Sequence, residues 1–403
     1  NPFFVHQFLN HLHSESLVLF NYLEGIWEWD LKKIKRLEVT TNVIELITKN
    51  ISRLNSETQK ILKISACIGR TFDIETLVNV SNKSNENSYH HLIKAIDASY
   101  LVALSDHPSH LKSINWNDKN TDWTTLNFEC RFLNDKVYAS VYTLLTTHEK
   151  ETYHYKIGLY WLNRQTDTPI IATVSHLNKG NKLSLSIGYE KLAQLNLQAG
   201  LQAKNNGSYL KAYEFYDTGL QYLPLDRWDT DYALTLNLYS GKSEVLFLLE
   251  KFTESESEFQ HVVDRCKSPF DKARVYNTKL TLYLNENRTL DAYKSGKIAL
   301  NFLKIKITSH PKQWKIVLEF LKSKIKLPKT FSATDLALFP ETKNGDIQLI
   351  IDLLMNLTAP AYYLDKNLFA LIVLKTVTIS KTHGNVSASA HAYATYGVLL
   401  GSV

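Results

Sequence analysis

His148, Glu149 and His154 are, by residue type, the group in this chain most like a metal-binding cluster. A helix presents two histidines to one zinc ion at i, i+4 spacing, as in His-Glu-x-x-His. Here the two histidines are six apart and fall on different helix faces. A solvated amphipathic face is therefore the expected role of this group, with no metal. His176, in Ser175-His176-Leu177, lies among apolar residues and reads as a hydrogen-bonded packing histidine. Cys67, Cys130 and Cys266 are scattered and odd in number, without Cys-x-x-Cys or Cys/His ligand spacing. Neither a disulfide framework nor a structural zinc site is expected from them, and a reducing compartment fits. Gly-x-Ser-x-Gly, Gly-x-Gly-x-x-Gly and the kinase catalytic-loop and Asp-Phe-Gly signatures do not occur in the chain. The main basic feature is a run of lysines: Lys304, Lys306, Lys312, Lys315, Lys322, Lys324, Lys326 and Lys329. Such a run could bind an acidic partner, a phosphoinositide or nucleic acid. Ile316, Val317, Phe320, Leu321 and Ile325 interleave with it at helical spacing, which favours a solubilising helix face.

These residues must be carried on more than one core, because 403 residues imply two or three domains. A hydrophobic content of 44% with 11% aromatics allows full packing, and the net charge of +6 is modest for this size. No stretch is expected to reach the roughly 20 apolar residues of a membrane span, and Leu368 to Leu374 reads as part of a buried helix. The first residues lack the basic start and apolar region of a signal peptide.

Helical spacing of apolar residues from Pro2 to Leu19 predicts a first helix, with Pro2 in its first turn. A turn at Glu24-Gly25 and a short exposed segment, Trp27-Glu28-Trp29-Asp30, follow it. A second helix fits Asn42 to Leu54. Ser56-Glu57-Thr58-Gln59 has the pattern of a capping box opening a third helix, which should end at Gly69. Asp73 can cap a short helix over Ile74 to Val80, and His91 to Ala98 reads as another helix. Tyr100 to Leu104 and the alternating Leu126, Phe128, Cys130 and Phe132 read as two strands around a long loop, Ser105 to Asp122. Helices followed by such a hairpin make a winged-helix arrangement. As a DNA reader it is poorly equipped, since His91 to Ala98 offers one Lys and one Asp and no Arg.

From Glu149 onward the chain reads as helix after helix. Gly200, Ala212, Tyr216, Gly219 and Pro224 match the small-small-aromatic-small-proline offsets of a tetratricopeptide unit, where small residues let paired helices approach. Weaker echoes follow at Ser255, Phe259 and Val262, and at Ala292, Gly296 and Ala299. Thr253-Glu254-Ser255-Glu256 has the capping-box pattern, and Ser268-Pro269 starts a helix with Pro at its first position. Irregular spacing marks a degenerate solenoid.

Asn1-Pro2-Phe3-Phe4 resembles the Gly-x-Pro-aromatic step that closes the nucleotide-binding core of AAA-related STAND signal-transduction NTPases. Further matching strings are Thr58 to Lys63, Ala66 to Gly69, Phe132 to Val137, Ser175 to Asn178, Leu195 to Gly200 and Tyr393 to Gly397. In this order they resemble multidomain sensor kinases of bacteria and fungi. Those kinases place a STAND module and helical repeats between a Ser/Thr-kinase-like domain and GAF and histidine-kinase domains. The resemblance implies a piece cut from a longer protein at both ends: 1–45 a remnant of the ATPase lid, 46–148 a winged-helix-like domain, and 149–403 a TPR-like repeat domain.

The fold class expected is thus mainly α, a winged helix with a small β-hairpin followed by a TPR-like α-solenoid. Pro2 would contact adenine in the parent protein, where a helix-initiating proline is the plainer reading. The family usually has Phe-x-His-Asp where this chain has Phe132-Leu133-Asn134-Asp135, the histidine sensing the nucleotide phosphate. Asn134 can donate a hydrogen bond but carries no charge, and as a helix N-cap it has a structural role available. The phosphate-binding Gly-rich loop and the Mg²⁺-binding aspartate are not in this chain; in the family they lie upstream of the position of Asn1. ATP or ADP with Mg²⁺ is accordingly expected in the parent, a histidine and/or Ser/Thr protein kinase, and no cofactor or catalysis in the segment alone. Protein partners are expected through the repeats, an oligomer is compatible, nucleic acid and a membrane span are not expected, and the cytoplasm fits. Two alternatives are a STAND transcription activator of the maltose-regulator kind and a TPR-like scaffold without nucleotide switching.

Overall fold

The computed structural model describes residues 5, 8, 9, 12, 13, 15–36, 43–82, 84–104, 128–164, 169–325 and 340–401. The described chain is mainly α, in two compact units, Asn1–Leu192 and Ala193–Val403. The expected loop Ser105 to Asp122 lies outside the described residues, as do Asn1 to Phe4, Lys326 and Lys329.

Among the described residues at the start of the first unit, Val5, Phe8, Leu9, Leu12 and His13 are helical, and an antiparallel hairpin of β1 (Val18–Asn21) and β2 (Ile26–Trp29) follows, with Val18 opposite Trp29 and Asn21 opposite Ile26. The helix expected from Pro2 is present in its described residues up to His13, and the hairpin corrects only its expected run to Leu19. Asn21 Oδ1 accepts from the backbone N–H of Leu23 and Glu24, and Gly25 takes φ 67°, so the chain reverses there. The rings of Phe20 and Trp27 then meet across the strands at 5.2 Å. β2 is exposed, as expected for its tryptophans. Helix α1 (Leu31–Arg36) follows, its first N–H groups donating to Asp30 Oδ1.

Helices α2 (Val43–Ser52) and α3 (Ser56–Ile68) lead into the winged helix proper. The capping box expected at Ser56 is not formed. Asn55, one residue earlier and an equally favoured N-cap, takes the position; its Oδ1 accepts from Glu57 N at 2.9 Å, while the Gln59 amide donates to the carbonyls of Ser52 and Leu54. Gly69 ends α3 as expected. Strand β3 (Thr71–Asp73) precedes α4 (Ile74–Ser81), which Asp73 caps through Thr76 N at 2.7 Å. Helix α5 (Asn85–Asp97) begins six residues before the expected His91, because Ser84 caps it.

Strands β4 (Leu101–Leu104) and β5 (Glu129–Phe132) complete a three-stranded antiparallel sheet in the order β3-β5-β4. The expected two-stranded wing thus gains β3, whose three residues are too few to show alternation in sequence. Buried Ile61, Leu77, Leu92, Cys130 and Val141 share one core with Tyr153 and Ile157. The last two lie on α7 (Thr147–Asn163), which follows α6 (Asp135–Thr143). The winged-helix core therefore extends past the 148/149 boundary expected from the sequence. Trp161 Nε1 donates to Thr76 Oγ1 at 3.0 Å and Arg164 pairs with Glu75, tying α7 to α4. Helix α8 (Ile170–Lys179) crosses α7 at Gly158, where any Cβ would meet Leu177 at 2.7 Å.

Helix α9 (Tyr189–Asn205) leads into the second unit, where helices pair in antiparallel hairpins: α10 (Tyr209–Tyr222), short α11 (Arg227–Thr230), α12 (Tyr232–Leu248), α13 (Phe252–Arg265), α14 (Pro269–Asn285) and α15 (Thr289–Phe302). Successive hairpins turn through a left-handed residue, Gly207 at φ 74°, Glu250 at 62° and Asn287 at 57°. The next residue, Ser208, Lys251 or Arg288, occupies the cap position without a side-chain bond. That turn fixes the start of α13 at Phe252 and corrects the capping box expected at Thr253. Ser255 is instead buried, its hydroxyl donating to Ser243 O at 2.8 Å. Ser268 and Pro269 start α14 as expected.

The expected small residues stand at the helix contacts. A Cβ on Gly200 would meet the Tyr216 ring at 2.6 Å, and one on Gly241 would meet the same ring at 2.6 Å. Ala212, Ala292 and Ala299 are fully buried. The unit closes with α16 (Gln313–Ile325), α17 (Gly345–Asn356), α18 (Thr358–Leu364), α19 (Lys366–His383) and α20 (Ser389–Gly401). Leu368 to Leu374 lie in α19, largely buried as expected. Gly345–Leu364 is long and apolar enough by composition to cross a membrane, contrary to expectation, with half of its window buried. It comprises α17 and α18, whose apolar residues Leu349, Leu353 and Ala361 pack in the core of this unit.

Overpacking one of these contacts should cost about 1–3 kcal/mol. Ala212→Leu is expected to lower the melting temperature of the second unit. Gly397→Ala, in an exposed helical position where a Cβ meets nothing within 4 Å, should instead raise stability by up to about 1 kcal/mol. Calorimetry that finds Ala212→Leu melting like the parent chain would contradict the packing described.

Candidate functional site

Strand β5 delivers Asn134 to the start of α6 in extended conformation, φ −159° and ψ 171°. Its Oδ1 accepts from Lys136 N and Val137 N, both at 3.0 Å. The N-cap role weighed for Asn134 is thus filled, and its amide nitrogen is the part of the side chain that could donate to a phosphate. Beside it, Arg70 pairs with Asp135 at 2.9 Å and lies over the Tyr138 ring at 5.6 Å. Both charges of that pair are exposed, so it contributes little to stability. The corner therefore gathers a guanidinium, an amide and a helix start. Pro2, the other residue singled out for nucleotide, lies outside the described residues.

The histidines sort differently from expectation. Glu149 is the N3 partner of a reciprocal capping box with Thr146 and also accepts from Lys63 Nζ at 2.8 Å. The Thr146-x-x-Glu149 pattern was readable in sequence. His154 does not face solvent but is buried, its Nδ1 2.8 Å from His176 Nδ1 and its Nε2 3.1 Å from the Tyr142 hydroxyl. His176 is the packing histidine expected, with the Trp161 ring edge-on at 4.8 Å. An Nδ1 pair this close requires one proton between the two rings, one Nδ1 donating and the other accepting. Burial pushes His154 from its usual 6.5 down to about 4 and His176 to about 3, with Lys150 and Lys179 pushing His154 in the same direction. Burial likewise pushes the Cys67 thiol up to about 12, and Cys130 likewise to about 12, so neither is a ready nucleophile. No group of three or more His, Cys, Asp or Glu suited to a metal is present among the described residues.

In the repeat unit a cleft of about 620 Å³ opens between α12, α13 and α14, lined by Phe247, Phe252, Glu256, Gln260, Tyr283 and Arg288. Arg288 donates to Asp291 Oδ2 through Nε at 3.0 Å and Nη2 at 2.7 Å, and stacks over Tyr283 at 4.5 Å. Glu256 accepts from Lys279 and from the Tyr283 hydroxyl. Thr253 and Ser257 complete the lining, which thus sets aromatic faces beside fixed donors and acceptors. Sequence reasoning missed this cleft because its residues come from three helices and the turn before α15, with no shared spacing.

No protein-family model matches the chain. The chain is 23% identical over 350 residues to hybrid signal transduction histidine kinase G of Dictyostelium discoideum, covering 75% of this chain and 10% of that protein. It thus spans about a tenth of the length of the curated relative it matches. Among solved structures, a Signal Transduction ATPase with Numerous Domains (STAND) protein with a tetratricopeptide repeat sensor from Pyrococcus horikoshii aligns over 88% of this chain and 48% of that one. The identity there is 11% and the TM-score 0.36.

Removing the Asn134 cap should cost about 0.5–2 kcal/mol. Asn134→Ala is expected to lower the denaturant midpoint, while Asn134→Asp, which still caps, should stay near the parent. Equal loss in both would contradict the capping role. For the histidines, the folded state holds the neutral forms and the unfolded chain binds protons from about pH 6.5 downward. Their contribution is therefore complete above that pH and is lost as pH falls toward 4 and then 3, on the order of 1.4 kcal/mol per pH unit per histidine. A His154→Gln, His176→Gln double variant should lose less stability than the parent between pH 7 and 4.5; equal losses in urea unfolding would contradict the assignment.

Proposed function

We propose that this chain is a regulatory and interaction segment of a multidomain signal-transduction protein kinase of the hybrid histidine-kinase kind, built around a STAND-type nucleotide switch. The sequence match across three quarters of the chain to a hybrid histidine kinase carries this reading. It also favours the kinase over the transcription-activator alternative. A winged-helix unit followed by stacked helical hairpins supports it, since each hairpin packs only on its neighbours and offers a long surface to partners.

In the parent protein the winged helix would lie against nucleotide held elsewhere in the polypeptide. ATP or ADP with Mg²⁺ would be bound mainly by the phosphate loop and aspartate that this chain lacks. Asn134 and Arg70 have chemistry suited to a phosphate: an amide that can donate and a guanidinium beside it. Asn134, uncharged, would report the phosphate through a hydrogen bond where a histidine would add charge. The repeat unit would receive a partner or relay the nucleotide state to the kinase domain.

The test is made in the parent protein. Ala212→Leu should leave basal autophosphorylation in place and remove its modulation by nucleotide or partner. Modulation identical to that of the unaltered protein would overturn the reading.

A further inference from the structure

Helix α16 packs inward through Phe320 and Ser323, with the Ser323 hydroxyl 3.4 Å from that of Tyr396 on α20. On its opposite side Trp314, Val317, Leu318 and Leu321 are each about half exposed, and no core cluster among the described residues includes them. Their spacing is i, i+3, i+4, i+7, a continuous apolar stripe along one helix face. At the edge of the stripe, Val317 and Phe320 meet Leu374 of α19 and Tyr396, Leu399 and Leu400 of α20 around an apolar cavity of about 210 Å³.

The surroundings are basic. Helices α16, α19 and α20 carry Lys315, Lys322, Lys324, Lys366, Lys375 and Lys381, against one acid, Glu319. Glu319 is buried and paired with Lys322. Lys381 is half-buried and its Nζ donates to the carbonyl of Ser323 at 2.7 Å.

Stripe, cavity and charge together select an occupant. A second copy of this chain would set one lysine-rich face against another, and like charges oppose that contact. A flat lipid surface would cover the stripe but leave a concavity between α16 and α20. A helix from another protein satisfies all three features, with one large apolar side chain entering the cavity, its i+3 and i+4 neighbours lying along the stripe, and acids on its flank facing the lysines.

We propose that this face of the repeat unit docks an amphipathic helix with an acidic flank, supplied by a partner protein. The proposal rests on the interaction reading above and gives that partner its chemistry.

The purified 403-residue chain is titrated with a labelled helical peptide carrying Leu at i, i+3, i+4 and i+7 and Glu on the flanking positions. The same peptide with Lys in place of Glu serves as control. The glutamate peptide should bind about tenfold more tightly and weaken with added salt. Leu321→Gln and Val317→Gln, both at exposed positions, should lose that binding with melting unchanged. Charge reversal at Lys315, Lys322 and Lys324 to Glu should switch preference to the lysine peptide. Equal binding of both peptides, or of neither, overturns the proposal. So does binding only to phosphatidylserine vesicles, which assigns the face to lipid, or a dimer abolished by Leu321→Gln, which assigns it to a second copy. None of these outcomes bears on modulation of the parent kinase, which is read separately by autophosphorylation.

Discussion

The ring of Tyr216 lies between Gly200 on one helix and Gly241 on another, and a single added methyl carbon on either glycine would sit 2.6 Å from it. Three helices can meet there only because two of them have no side chain at the contact. Gly219 repeats the arrangement against Leu238, and Gly296 against Leu357 and Leu280. Interiors this close-packed do not deform continuously, so the spacing of these helices sets the surface that the unit presents. The cleft at Arg288 lies among helices of that stack.

The first unit works by a different constraint. Its helices start on capping side chains, Asn55, Asp73, Ser84, Asn134 and the Thr146–Glu149 pair. The caps at Asp73 and Asn134 join a strand directly to a helix, fixing where β3 and β5 hand over to α4 and α6. Behind them runs a polar chain, Tyr142 to His154 to His176, in which burial holds both imidazoles neutral. Such a network specifies one arrangement of α6, α7 and α8 at the expense of tolerance to acid.

Much of this was legible in the residues. Small side chains at the tetratricopeptide offsets announced the repeat, Pro269 and Asp73 announced helix starts, and the alternation ending at Phe132 announced a strand. What stayed hidden has physical reasons. Strand β3 is three residues long, too short for a period to show. The hairpin at Val18 looked helical because Leu12, Leu17 and Leu19 fit helical spacing, while the decisive information sat in Asn21 and Gly25. Two capping-box patterns were overridden, one by an equally good cap, Asn55, a residue earlier and one by the left-handed turn at Glu250. His154 appeared solvated because its partner, His176, is 22 residues away on another helix. Clefts between helices escape sequence reading for the same reason, since their residues become neighbours only after packing.

The proposed function has the winged helix registering nucleotide state in a longer parent protein and the repeat unit passing it on. Amide hydrogen exchange of the full-length parent, with ATP and Mg²⁺ against ADP, tests this most directly. The account predicts a change in protection around Phe132 to Thr143 together with a change along the repeat helices. Exchange that is the same in both nucleotide states across both regions would contradict it.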